Sequence, residues 1–366
     1  MLSKISLSEN KLSVQMNIST NDTNLLSDFE NDIEKYFEFS NKVAVLNSGT
    51  SAIHLALVLT NVQRGDEVLC QSFTFSASVN PILYQGASPV FIDSEPETWN
   101  MCPEALEKAI NDRISRKKKP KAIIVVHLYG MPAKMDEISA ISKKYEITLI
   151  EDAAEALGST YKGQKCGTFG DYGILSFNSN KIISAFGGGA LVCKTQVEKE
   201  KAIFLATQAK DEAPHYQHSQ IGYNYRMSNV LASIARGQME VLDMQIALRR
   251  NMQQFYKNLF QDTIGITVCE EPSQDFFSNH WLSCILVKEI KFGFSREDLR
   301  TSLLEDNIET RPLWKPMHLQ PIFEKHPFYG SNVCENLFNI GLCLPSGTNL
   351  SENDKRRIKN SITKFL

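Results

Sequence analysis

The sequence lacks the residue spacings that mark metal and disulfide proteins. Its eight cysteines contain no Cys-x-x-Cys pair, and its seven histidines form neither a His-x-x-x-His nor a His-Glu-x-x-His pattern. No metal site and no disulfide framework are therefore expected. Several cysteines fall in apolar runs, where a free thiol packs as a small hydrophobe. No uninterrupted apolar run reaches the roughly 18 residues a membrane-spanning helix needs. Met1 to Asn10 lacks the apolar stretch of a secretory leader, so the expected location is cytoplasmic. A formal net charge of −3 gives no electrostatic case for nucleic acid or an anionic membrane as partner. The one basic tract, Arg116 to Lys119, reads as a solvated turn after a helix-like segment. Internal repeats and low-complexity linkers are also missing.

The 366 residues are 42% hydrophobic and 22% charged, ordinary values for a globular chain of roughly two domains. Residues 1–40 are polar and mixed, with an amphipathic helix expected from Asn24 to Phe37. From Val43 to about Ile234, short apolar strands alternate with helices. The strand candidates are Val43–Leu46, Glu67–Cys70, Val90–Ile92, Ala122–His127, Thr148–Ile150, Tyr172–Phe177 and Ala190–Cys193. Several are continuously apolar, as in a sheet covered on both faces. The reading is thus α/β: a mainly parallel central sheet with helices on both faces, over residues 41–242. A long helical pattern, Ser228 to Phe260, ends this rhythm. Residues 243–366 read as a smaller α+β domain, with a strand at Trp281–Lys288 and helices near Arg296–Glu305 and Ser351–Phe365.

Three stretches carry candidate chemistry. In Gly170–Gly189 the strand breaks into Asn178-Ser179-Asn180 and delivers Lys181 just beyond its end, where ligands bind in open α/β sheets. Ser176 lies on the strand, and three glycines, 187–189, allow a close backbone approach. In Ile147–Gly158 a buried strand ends near Asp152, and Glu155, three residues on, shares its face if a helix or turn begins there. In Val43–Leu59 a strand turns through Asn47-Ser48-Gly49 into a helix whose first turn holds Thr50 and Ser51. That helix start offers N–H groups, hydroxyls and a positive dipole end to a phosphate. Taken singly, Lys181 reads as a solvated lysine and Asp152 as a helix cap. Together they are the set that pyridoxal 5'-phosphate (PLP) needs: an amine for a Schiff base, a carboxylate that keeps the pyridine nitrogen protonated, and a phosphate cradle.

On these residues the chain resembles the DegT-type nucleotide-sugar aminotransferases, PLP enzymes of fold type I. The matching segments are NSGTSAIHLAL (47–57), GDEVLCQSFTFSASVNPI (65–82), HLYGMPAKMD (127–136), IEDAAEALGSTYKGQKCGTFGD (150–171), SFNSNKI (176–182) and GYNYRMSNVLASI (222–234). NHWLS (279–283), IETRPLWKPMH (308–318) and LCLPSG (342–347) extend the likeness. YNYR, IETRPLWK and LCLPSG narrow it to enzymes that aminate UDP-4-keto-6-deoxy-N-acetylglucosamine in bacillosamine-type or legionaminic-type pathways. About the first 28 residues match poorly, and the segment is shorter than in relatives.

The resemblance implies Lys181 and Asp152 as catalytic residues. It implies a PLP site built from Gly49, Thr50, Ser51, Phe75 (stacked on the ring), Asp152, Glu155, Ser176, Lys181 and Asn224. Asn224 would reach the cofactor phosphate of a neighbouring subunit, which makes the enzyme a homodimer with shared sites. Glu155 stands where many relatives have glutamine. Arg226, Trp281, Arg311 and His318 would line the sugar-nucleotide pocket. L-Glutamate is the implied amino donor, with ping-pong kinetics. A sugar dehydratase on the same scaffold has histidine in place of the lysine, so Lys181 speaks against it. A non-catalytic regulator would leave the cofactor set unexplained.

Overall fold

The computed structural model describes residues 3–10, 24–288 and 293–364. Part of the N-terminal segment (11–23) and the end of the last expected helix at Phe365 lie outside the described residues.

The large sheet is built from β1 (Lys42–Leu46), β2 (Glu67–Gln71), β3 (Ser88–Ile92), β4 (Ala122–Val126), β5 (Thr148–Asp152), β6 (Tyr172–Ser176) and β7 (Gly189–Cys193). Their order across the sheet is β1-β7-β6-β5-β4-β2-β3, with Phe328–Tyr329 as an eighth strand beside β3. Pairing is parallel from β6 through β5, β4, β2 and β3 to Phe328–Tyr329. Only β7 runs antiparallel to both its neighbours, β1 and β6. Alternate residues enter opposite layers, as the pleat dictates. Ala44 and Leu46 pack with helix α2 (Gly49–Leu59), whereas Val43 and Val45 pack with helix α1 (Leu25–Tyr36). Helices therefore cover both faces, which is why the strands read as unbroken apolar runs.

Helix α1 also closes the β1 edge. Glu30 and Glu34, one turn apart, accept hydrogen bonds from the amides of Val45 and Val43 at 3.0 Å each. Two carboxylates on a helix thus pair with donors that would otherwise face solvent at an open edge. Lys199 sits 3.3 Å from Glu30 and 2.8 Å from Glu34 and neutralises them.

A second, antiparallel sheet has the order Ile266–Val268, Ser283–Val287, Gly341–Leu344, Arg311–Pro312. Its core joins Ile285, Leu342 and Leu344 to Met252 and Tyr256, Leu299 and Leu303, and Ile358 and Ile362, from three helices. The expected long helix is two, Asn229–Met239 and Leu242–Phe260. Two features were not read from the sequence. Ile5 bridges to Ile308, so the chain start lies along this second region. Phe328–Tyr329 returns to the edge of the large sheet.

Candidate functional site

A cavity of about 410 Å³ opens beyond the carboxyl ends of β5 and β6. Of the residues expected in the site, Gly49, Thr50, Phe75, Asp152, Glu155, Ser176, Lys181, Trp281 and Arg311 line it. One end is the start of α2. Ser48 caps this helix by accepting from the Ser51 amide at 3.1 Å, and Ser51 Oγ donates to Asn47 Oδ1 at 2.6 Å. Ser51 therefore shapes the turn and does not line the cavity. Ser176 abuts the helix start: a Cβ on Gly49 would meet the Ser176 Cβ at 3.3 Å. Of the glycine run, Gly187 and Gly188 line the cavity, while Gly189 serves a further contact. A Cβ on Gly189 would lie 2.4 Å from the Gly49 nitrogen, so β7 closes against the helix start only without a side chain there.

Asp152 is the last residue of β5 and is buried. Turns rather than a helix follow it, so helix capping does not account for it. Oδ1 accepts from the Ala154 amide at 3.1 Å and Oδ2 accepts from Ser78 Oγ at 2.7 Å. Ser78 Oγ also lies 2.8 Å from Thr74 Oγ1. This hydroxyl relay was missed at the sequence level. Its signal was present in SFTFSAS, where hydroxyls four apart follow a strand end.

Lys181 Nζ is 3.1 Å from Glu155 Oε1 and 4.4 Å from the centre of the Trp281 ring. The second oxygen of Glu155 accepts from the Tyr129 amide at 2.8 Å. Burial pushes the Glu155 carboxyl up, while Lys181 and the Tyr129 amide pull it back. Phe75, which also lines the cavity, is exposed and tilts against Trp314 at 5.5 Å between ring centres. Arg311 is also exposed and pairs with Glu309 at 2.9 Å.

Two expected substrate residues are held elsewhere. Arg226 pairs with Glu30 at 2.5 Å and donates to the Val45 carbonyl at 2.9 Å. Its guanidinium belongs to the β1 edge, not the cavity wall. His318 shares one ring nitrogen with Ser72 Oγ at 2.7 Å and the other with Glu335 at 3.1 Å, and it stacks on Phe328 at 3.8 Å. Both are fixed by their own partners, which spacing could not show. Asn224 is exposed and outside the cavity of its own chain, and its backbone bridges Thr207. His54, read as a packed side chain, is buried between Tyr225 Oη at 3.0 Å and Gln85 at 2.6 Å.

Among the described residues, His127, Glu151 and Cys166 approach closely enough to suggest a metal set. The donor atoms of His127 and Glu151 are already in use. His127 Nδ1 accepts from the Ala133 amide at 2.9 Å, its Nε2 faces Glu151 Oε1 at 2.7 Å, and Glu151 Oε2 accepts from the Phe169 amide at 2.8 Å.

The donor set around the cavity fits a phosphorylated pyridine. Hydroxyls and a helix start stand at one end, a buried carboxylate held by Ser78 at the floor, and an amine at the wall, with aromatic faces between. Residues 8–363 match the model of the DegT/DnrJ/EryC1/StrS aminotransferase family. EpsN of Bacillus subtilis, described as a pyridoxal phosphate-dependent aminotransferase, is 51% identical over 86% of this chain and 81% of its own. A GDP-perosamine synthase of Escherichia coli O157:H7 is 37% identical over 93% of this chain and 90% of its own. A crystal structure of a DegT DnrJ EryC1 StrS aminotransferase from Brucella abortus superposes with a TM-score of 0.86 at 28% identity. It covers 93% of this chain and 90% of that one.

Proposed function

The chain belongs to the DegT/DnrJ/EryC1/StrS aminotransferase family of PLP-dependent enzymes, and from that membership we propose the reaction and the roles of its residues. The enzyme moves an amino group from L-glutamate to the C4 keto carbon of a nucleotide-linked 4-keto-6-deoxy sugar, UDP-4-keto-6-deoxy-N-acetylglucosamine, for surface glycan synthesis. Residues 41–242 hold the cofactor, residues 243–366 form the smaller domain, and a homodimer in the cytoplasm completes the sites through Asn224. The observation that carries this reading is the placement of Lys181, Asp152 and Ser176 around one cavity.

When bound, PLP supplies an electron sink for breaking and making the C–H bond of the amino-bearing carbon. Gly49, Thr50 and Ser176 would hold its phosphate, Asp152 its ring nitrogen, Phe75 its ring and Lys181 its aldehyde carbon. Ser78 fixes the Asp152 carboxylate, so the charge opposite the ring nitrogen is set before the cofactor arrives. Lys181, once free, removes the proton from the donor α-carbon and returns it on the other side of the reaction. Trp281, Phe75 and Trp314 wall the cavity and limit water around the amine. Arg311, at the exposed rim, is placed for an anionic group of either substrate.

A GDP-linked sugar is the second reading, favoured by the 37% identity to a GDP-perosamine synthase. A panel of UDP- and GDP-linked 4-keto-6-deoxy sugars, incubated with glutamate and followed by NMR of the product, decides between them. The expected product is the 4-amino UDP sugar. A GDP product alone would select the second reading, and failure with every keto-sugar would overturn the assignment.

A further inference from the structure

Arg249 is the largest of the side chains that are wholly buried. It lies on the helix Leu242–Phe260, in the middle of a buried stripe with Leu242, Gln245, Ile246, Met252, Gln253 and Tyr256. An apolar side chain would fill this place at less cost, because a buried charge is expensive unless paired. Among the described residues no carboxylate pairs with Arg249. Its partners are three neutral oxygens: Nη1 donates to the Trp281 carbonyl at 2.7 Å, and Nη2 donates to Ser8 Oγ at 3.1 Å and Asn10 Oδ1 at 2.6 Å. The cost of this burial shows in the guanidinium itself, which is pushed down to about 9 from its ordinary 12.5.

Each of these three partners continues to the loop that carries the reactive amine. Asn10 Nδ2 donates to the Lys181 carbonyl. Ser8 Oγ donates to the Asn180 carbonyl at 2.9 Å. Trp281 Nε1 donates to the same Asn180 carbonyl at 2.6 Å, and its ring lies beneath the Lys181 ammonium. One rigid fork therefore ties together three separate segments, residues 8–10, 180–181 and 281, that converge on Lys181. A planar guanidinium holds several acceptors at fixed angles, which neither lysine nor an apolar residue can do.

We propose that Arg249 is a positioning residue for Lys181, acting through Asn10, Ser8 and Trp281, so that the chain start is a working part of the active site. Leu7 and Ser8 line the cavity itself, which places this segment against bound ligand as well as against the lysine loop. The proposal rests on Lys181 as the amine that takes the cofactor.

The test follows the rate at which cofactor absorbance develops when PLP is added to the full-length apo protein, together with kcat and KM. Asn10→Ala removes one surface-side link and leaves the core intact. Arg249→Met removes the fork, and Arg249→Lys keeps the charge without the fork. Asn10→Ala and Arg249→Met are each expected to slow cofactor uptake and lower kcat about tenfold with KM little changed, since a small misplacement of a reacting group is costly. Arg249→Lys should recover little of the loss. The Asn10→Ala, Arg249→Met double variant should be no worse than Arg249→Met alone, because both act through one path. Should Asn10→Ala leave both the uptake rate and kcat at the parental value, or should the two losses simply multiply, the proposal is overturned. Lys181→Ala is the control: if it retains the lysine-dependent absorbance, the assignment of the amine fails, independently of Arg249.

Discussion

Lys181 and Glu155 face each other at 3.1 Å inside the cavity, a buried carboxylate set against the amine that the proposed reaction uses. Burial raises the Glu155 carboxyl above its ordinary 4.5, and Lys181 offsets part of that rise. Glu155 therefore takes up a proton at a higher pH than an exposed glutamate, and the ammonium opposite then loses its counter-charge. The cofactor-loaded enzyme should show an absorbance transition above pH 4.5 that Glu155→Gln abolishes. A transition that persists unchanged in the variant belongs to another group.

Asp152→Asn should retain the cofactor and lose about a hundredfold or more in kcat, because an amide cannot supply the charge the ring nitrogen needs. Ser78→Ala, which removes only one donor to that carboxylate, should cost about tenfold. Steady-state kinetics with bound cofactor quantified by absorbance separates the two. Near-parental turnover in Asp152→Asn would place the ring partner elsewhere.

Arg226 and Arg311 should separate cleanly. Breaking the Arg226–Glu30 pair leaves this buried carboxylate with Lys199 at 3.3 Å as its remaining counter-charge, so Arg226→Ala should destabilise the fold by about 2 kcal/mol with little change in KM. Arg311→Ala, at the exposed rim, should raise KM for the nucleotide sugar and leave unfolding unchanged. Chemical denaturation and initial rates on both variants check this; a KM effect confined to Arg226→Ala would reverse the two roles.

Glu271 accepts from Arg250 at 2.6 Å and faces His280 at 3.1 Å. Burial alone would raise its carboxyl, but His280 and Arg250 hold it well below the ordinary range. With its native value depressed, its contribution to stability is complete above the unfolded value near 4.5 and fades as the pH falls further. Glu271→Gln should thus lower Tm at pH 7, and the difference from the parent should shrink below about pH 4.

The shared-site proposal for Asn224 is tested by mixing Lys181→Ala with Asn224→Ala, provided each is inactive alone. In a mixed dimer one site combines the intact Lys181 of one subunit with the intact Asn224 of the other. With half the dimers mixed by random exchange, about a quarter of the parental activity per site should return. No return despite proven exchange would confine Asn224 to its own chain.

Much of the large sheet was legible because strands covered on both faces must be apolar throughout, and Val43–Leu46 and Ala122–Val126 announce that directly. Lys181, Asp152 and Ser176 were legible because each stands at a strand end, where backbone position alone aims a side chain at the crevice. Ser78 and Asn10 were not, since their roles depend on partners 74 and 171 residues away in sequence. Arg226 and His318 illustrate the converse: their types suit an anionic substrate, yet Glu30 and Glu335 had already claimed them. Arg249 left a trace that spacing could have exposed, a cation on an otherwise buried helical stripe.

The strand Phe328–Tyr329 imposes an order on the birth of the molecule. During synthesis β3 stays an open edge until these two residues have left the ribosome, although every other strand of the large sheet was made long before. Ile5, near the start of the described chain, likewise waits for Ile308 before it has a backbone partner. These two backbone pairings thus form only after most of the polypeptide has been made. A chain stopped just before Phe328 would present an unpaired, apolar parallel edge to its neighbours, although it already carries Trp281, Arg311 and Trp314 of the cavity.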